Sequence, residues 1–326
     1  MIDYSPFDKM TFTLDRCFLC GEILNEENQT KEHVYPKWLQ NMFNLWDKSI
    51  VLLNSTDIKY KNLTIPCCKK CNALMSEKIE KPIREGVAGG YEKFVKCDRN
   101  TIFLWLNKLS YGLLFKELLI KLDRSNPKSE SIFSAEDMKV RKMQFTFLKS
   151  ITNNTVFHKK PYSILVFRVQ NNKSNFWVWE NPFTHTFCIR MNDIGLIASL
   201  MDNNYNEQFF MEYDKYTDLI NKNLHPVQFL EICSRFTYKA SLLKKSPFYL
   251  TVLDKDSNPS NILSINITGE AYKEWNQEEY AQVFDFLLET NGYKIDKNSV
   301  YQGNGQVCTF LYDKEGRFLS MKLDNE

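Results

Sequence analysis

The sequence predicts an α+β protein in two parts: a small, metal-stapled N-terminal domain over residues 1–90 and a larger mixed α+β domain over 91–326. Three observations predict it. Five of the nine cysteines fall within the first 71 residues, four of them as two CxxC pairs. Past residue 95, strand-like runs (YSILVFRV, NFWVWE, TFCIRM) interleave with helical ones such as QEEYAQVFDFLLET. The strand runs carry no glycine-rich phosphate fingerprint, which argues against a dinucleotide-binding parallel sheet.

Composition narrows the function classes. Hydrophobic residues make up 43% and charged residues 25%, enough apolar material for a sizeable core and too much for a disordered chain. The net charge of +2 creates no whole-molecule field that would by itself imply nucleic acid. The charge is unevenly spread, however: residues 1–95 balance to zero, 96–160 to +7 and 161–326 to −5. The basic stretch holds Lys108, Lys116, Lys121, Arg124, Lys128, Lys139, Arg141, Lys142 and Lys149, either phosphate-tracking side chains or the solvated face of two helices. The opening MIDYSPFDKMTF has no secretory signal pattern, and IGLIASLM is too short to span a bilayer. The expectation is a cytoplasmic protein with no membrane contact. In a reducing compartment clustered cysteines read as metal ligands before disulfides.

The elements follow in order. RCFLCGEIL reads as a knuckle, with Gly21 available for a positive φ. Pro36 opens a short amphipathic helix over roughly 36–46, carrying Trp38, Leu39, Met42, Phe43 and Leu45 at helical spacing. SIVLLN and IKYKNLTI read as strands joined by Ser55, Thr56 and Asp57. A helix starts at Asn72 and runs until Pro82 and Gly86 disturb it. The three glycines of GVAGGYEKF mark the domain boundary. TIFLWLNKLSYGLLFKELLIKL is apolar on most sides and predicts a long buried helix; a second helix follows with Ser134 as its N-cap. Phe176–Glu180 reads as alternating strand core, and the C-terminus as a hairpin turning at Asp313–Gly316.

Cys17-x2-Cys20 and Cys68-x2-Cys71 can each present two thiolates to one tetrahedral ion, for which Zn2+ is the soft-ligand choice. Four unrelated buried thiols are the alternative. Cys67 reads as a bystander whose side chain faces away. Inside the loop that the metal would close stands Glu32-His33, and Asn72 directly follows the last cysteine.

The pattern CxxC…EHVYPKWL…NLTIPCCKKCN resembles the HNH (ββα-metal) endonuclease family in its four-cysteine, zinc-stabilised, treble-clef-like form, over about residues 15–85. The resemblance implies metal-dependent hydrolysis of phosphodiester bonds in DNA, with RNA left open. His33 would be the general base, with Glu32 and Asn72 holding Mg2+ or Mn2+. Glu80, two helical turns past Asn72, is an additional ligand or a solvated carboxylate. Two departures carry structural consequences. The family's middle Asn falls at Leu63, with Asn62 one residue away, which implies a bulge. Adjacent strand residues point to opposite faces, so Glu32 and His33 converge only if the backbone kinks.

No nucleic-acid-binding fingerprint follows residue 95. The larger domain reads as a specificity, sensing or protein-docking module. Such extensions resemble antiphage or restriction effectors, including those paired with short Argonaute-like proteins. The alternative is a non-catalytic zinc adaptor for nucleic acid or protein.

Overall fold

The architecture is mixed α+β, with four separate sheets among the described residues and helices between them. A computed structural model describes residues 12–323, except 127, 135–140, 153–154, 172–174, 213–215, 256–257, 267 and 304. The chain divides into two compact units. A cysteine unit holds the chain through Ala88, Lys96–His158 and Tyr249–Leu263; a sheet unit holds Gly89–Val95, Lys159–Phe248 and Ser264–Glu326.

The cysteine unit is built on a two-stranded ladder. Strand β1 (Gln29–His33) leads through helix α1 (Lys37–Met42) to the small hairpin β2 (Ser49–Val51) and β3 (Asp57–Lys59). Ser55 turns that hairpin with φ 62°. A 3-10 turn at Tyr60–Asn62 then delivers the chain to β4 (Thr64–Cys68), antiparallel to β1. The run IKYKNLTI is therefore two strands in two sheets, broken by the 3-10 turn.

Past β4 the chain enters helix directly: α2 (Lys69–Met75), a π turn (Ser76–Glu80) and α3 (Lys81–Ala88). The helix starts three residues earlier than Asn72, because Cys68 is its N-cap and accepts the Cys71 N–H on Sγ. Pro82 does not end it. Lacking an N–H and crowding the preceding turn, proline disturbs the regular ladder, and the chain widens ahead of it: the Lys81 N–H donates to Ser76 O, five residues back. The apolar stripe Met75, Ile79, Ile83, Val87 fits that widening. A strict four-residue spacing drifts by about 40° per step in a pure α-helix, and the π turn takes part of the drift back.

After the short helix α4 (Tyr91–Phe94) comes the long α5 (Arg99–Leu118), N-capped by Asp98. It is buried on nearly all sides, as its sequence predicts. Its polar side chains tie down other elements. Lys108 is solvent-inaccessible, Lys116 donates to Thr64 O (3.1 Å), and Glu117 Oε1 accepts the Leu53 N–H (3.0 Å). Lys108 and Lys116 therefore face protein, not phosphate. The expected boundary near residue 90 shifts for the same reason: α5, placed in the larger domain by sequence, belongs to the cysteine unit it braces. Helix α6 (Lys142–Lys149) packs beside it, with the Asn107 amide donating to Gln144 O (2.5 Å). The expected start of α6, Glu136 onward behind Ser134, lies largely outside the described residues, as does Lys139. Strand β5 (Val156–Phe157) ends this stretch.

The sheet unit carries β6 (Ser163–Val169), β7 (Phe176–Asn181), β8 (Thr186–Met191) and β9 (Ile194–Ser199), joined by helices α7 (Tyr205–Glu212) and α8 (Tyr216–Leu219) to β10 (Asn223–Leu224). The order is β10-β6-β9-β8-β7, antiparallel except for β10 on β6. Helix α9 (Pro226–Ser241) lies close on it: a Cβ on Gly195 would stand 2.5 Å from the Phe229 ring, so only glycine fits. Strands β11 (Phe248–Leu253) and β12 (Pro259–Ile265), almost wholly in the cysteine unit, form with its β5 the three-stranded sheet β11-β12-β5, β12 pairing in parallel with β5. Helices α10 (Gln277–Thr290) and α11 (Lys297–Val300) follow. The C-terminal turn stands where expected, with the Gly316 N–H on Asp313 O, but only an isolated bridge, Tyr312 to Phe318, joins its arms. Glu231 of α9 takes over the pairing: its carboxylate accepts the Phe310 N–H (2.6 Å) and the Thr309 hydroxyl (2.7 Å). Among the described residues no helix is long and apolar enough to cross a membrane.

Glu117 gives the cysteine unit a pH dependence. Burial pushes its carboxyl up to about 7 from an ordinary 4.5, with only the Leu53 N–H pulling the other way. Above pH 7 the fold must hold this group ionised; below 4.5 it is neutral in both states, so the cost grows between those values. Glu117→Gln keeps the acceptor and removes the charge. In urea unfolding it should stabilise the chain at pH 8, by up to about 3 kcal/mol, with the gain fading toward pH 4.5. A gap independent of pH would contradict this assignment.

Candidate metal centre and the Glu32–His33 strand end

The cysteine cluster grows from two tight turns. In the first, the Gly21 N–H donates to Cys17 O (2.8 Å) and the Cys17 N–H to Glu22 O (2.9 Å). Gly21 takes φ 73°, as expected of it. The Phe18 N–H donates to Pro66 O (2.9 Å), and the Lys69 N–H to Asn28 O (2.8 Å), so both knuckles are sewn to the β1–β4 ladder. The second knuckle is the helix start at Cys68.

The sulfurs of Cys17, Cys20, Cys68 and Cys71 all lie within 4.8 Å of one another. Cys20 and Cys68 are 3.8 Å apart. Tetrahedral zinc, with Zn–S bonds of about 2.3 Å, needs sulfur–sulfur edges of about 3.8 Å. The donor set fits a structural metal ion, and its all-thiolate softness matches zinc. All nine cysteines are free thiols. Packed this closely they cannot all ionise unaided: hydrogen bonds from Cys20, Cys67 and Cys71 hold Cys17 low, and Cys17 pushes Cys20 up to about 12. A bound cation removes that conflict. Cys67 stands outside the four, yet it does not face away. Its sulfur sits 4.0 Å from that of Cys17, buried behind the cluster.

Glu32 and His33 end β1 in regular register, opposite Ile65 and Thr64. No kink brings them together, and the pleat sends them apart. Glu32, 6% exposed, turns inward to an ion pair with Lys108. Lys108 also binds Glu80 Oε1 (2.6 Å) and donates to the carbonyls of His33 (2.9 Å) and Val34 (3.3 Å). Burial pushes the Glu32 carboxyl up, against the pull of Lys108. Burial alone would lower Lys108, but the two carboxylates outweigh it and hold it firmly cationic. His33 is half-buried, with its ring stacked at 27° over Trp46, centroids 6.1 Å apart. Burial, then Lys37 and Lys108, keep its imidazole below the ordinary 6.5, hence neutral at pH 7.

Asn72 sits on α2, half-buried and freed of the capping role by Cys68. The π turn inserts one residue between it and Glu80. Eight residues then span what seven would, leaving the two about 20° apart on one helix face. The geometry therefore joins Glu32 to Glu80 through Lys108 and aligns Glu80 with Asn72; Asn62 is exposed and Leu63 fully buried. The expected bulge is absent from the ladder, its place taken by the 3-10 turn at Tyr60–Asn62. Sequence reasoning missed Lys108. A lone lysine in the middle of an apolar helix was the available signal, since lysine is almost never fully buried without partners.

Compared with protein-family models, curated proteins and solved structures, the chain shows no match to any.

The cluster's role as a staple is open to direct measurement. Cys68→Ser should lose the bound metal in elemental analysis and lower the melting temperature, because the same residue is both ligand and N-cap. A strong chelator should do the same to the wild type. A chain that stays folded and metal-free would overturn the structural-metal assignment.

Proposed function

We propose that this chain is a metal-dependent endonuclease of the HNH (ββα-metal) type that hydrolyses phosphodiester bonds in DNA. One observation carries the reading: the path of the chain around the cysteine cluster. β1, ending in Glu32–His33, lies antiparallel to β4, and β4 passes through Cys68 straight into the helix bearing Asn72 and Glu80. A histidine on a strand end and oxygen donors on the adjoining helix, beside a four-cysteine cluster, support this reading.

In this reading His33 is the general base. Its imidazole is kept neutral, the form that accepts a proton from an attacking water. Trp46 packs against the ring and limits its orientation. Glu32, Asn72 and Glu80 supply hard oxygen donors suited to Mg2+ or Mn2+. That Glu32 and Glu80 already converge on one cation, the Lys108 ammonium, supports the fit. When bound, the metal would offset charge on the phosphoryl and leaving oxygens. Exposed Lys31, Lys37, Lys69 and Lys70 flank the strand and helix and would meet the substrate backbone. The sheet unit would dock a protein partner or set specificity in a cytoplasmic antiphage or restriction-type effector, a short Argonaute-like complex being one such setting.

A second reading, a non-catalytic zinc adaptor, draws on the same ion cluster: Glu32 is buried and already neutralised by Lys108, which suits a scaffold that has lost its metal. The two separate cleanly. With Mg2+ or Mn2+, the zinc-loaded wild type should nick plasmid DNA. His33→Ala should slow nicking at least about 100-fold, the usual worth of a general base, with zinc content and melting temperature unchanged. A wild type inert across divalent metals, or a His33→Ala variant as fast as wild type, would favour the adaptor.

A further inference from the structure

Lys108 belongs to neither the cysteine pattern nor the Glu-His pair, yet it is the group on which the strand end and the helix converge. It is fully buried on α5. Its ammonium meets Glu32 from β1, Glu80 from the π turn, and the carbonyls of His33 and Val34. An ammonium has three N–H donors, so these partners use its full capacity. The one ammonium thus holds two carboxylates from different elements side by side. The two carbonyls are that of the proposed base and the next one along, so the contact fixes the peptide that carries His33.

We infer that Lys108 is a positioning residue of the active centre: it joins the His33 strand end to the Glu80 turn and holds the two carboxylates side by side for a divalent cation. The inference rests on the nuclease reading of His33, Glu32 and Glu80, and it extends the centre to a helix beyond the motif. A lysine that merely filled space would be replaced by methionine of similar length. A lysine that competed with the metal would, on removal, leave the carboxylates binding cations more tightly. A lysine that positions them does neither.

The full-length, zinc-loaded chain is compared as wild type, Lys108→Met and Lys108→Arg. Mn2+ binding is read by electron paramagnetic resonance, and plasmid nicking by kinetics. Lys108→Met should bind Mn2+ at least about tenfold more weakly, the usual effect of losing a group that supports metal ligands. Its kcat should fall by about 100-fold, as for a displaced catalytic group, with KM for plasmid nearly unchanged. Lys108→Arg should recover part of both. Unchanged or tighter Mn2+ binding by folded Lys108→Met overturns the inference. If Lys108→Met fails to keep its zinc, thermal denaturation of Lys108→Met/Glu80→Gln decides. Recovery of the zinc-loaded fold supports Lys108 as the group that holds the two carboxylates together; no recovery overturns it. A wild type that binds Mn2+ and shows the Lys108→Met loss, yet never nicks DNA, sinks the nuclease reading alone. A wild type that binds no Mn2+ sinks both.

Discussion

Four sulfurs gathered within 4.8 Å are the constraint on which the N-terminal architecture rests. The ligand pairs are separated by nearly fifty residues, and the elements between them are short: a five-residue strand, a six-residue helix and a hairpin of two three-residue strands. Elements that short are marginal in isolation. A metal ion bound there would, by closing so long a loop, remove much of the freedom of the unfolded chain. It would also set register, because Cys68 is at once the last residue of β4, the cap of α2 and a cluster member. Moving that residue by one position would turn the ladder's inward face outward.

The second constraint is buried charge. Isolated ions are costly in a protein interior, and paired ones persist where geometry and hydrogen bonds are good. Helix α5 carries both cases: Lys108 is saturated with partners, while Glu117 has a single backbone N–H and is shifted toward neutrality. The contrast shows why one polar residue of an apolar helix fixes distant strands while another, nine positions on, makes the fold sensitive to pH. In the sheet unit Glu231 plays the fixing part, holding a C-terminal segment that lacks a regular ladder of its own.

Much of this was legible in residue order. The two CxxC knuckles, the positive φ at Gly21, the buried α5 and the strands β6 to β8 and β11 stand close to where pattern and spacing put them. The misses share a cause. Pro82 reads as a helix breaker because local rules count one lost hydrogen bond; tertiary packing of Met75, Ile79, Ile83 and Val87 holds the helix through it as a π turn. Asn72 reads as a helix start because Asn caps well, but the Cys68 sulfur already fills that place. The kink expected between Glu32 and His33 is absent because the ladder keeps its register through both.

Residue order alone thus established the donors: soft thiols at metal spacing, an imidazole beside a carboxylate, an amide just past the last cysteine. Those are chemical identities, and chemistry is local. Which donors meet was settled only in three dimensions. The pleat sends Glu32 away from His33, the π turn swings Glu80 into line with Asn72, and a lysine from a helix seventy-six residues beyond Glu32 joins the carboxylates. Such long-range convergence depends on helix phase and strand register, which no single segment encodes.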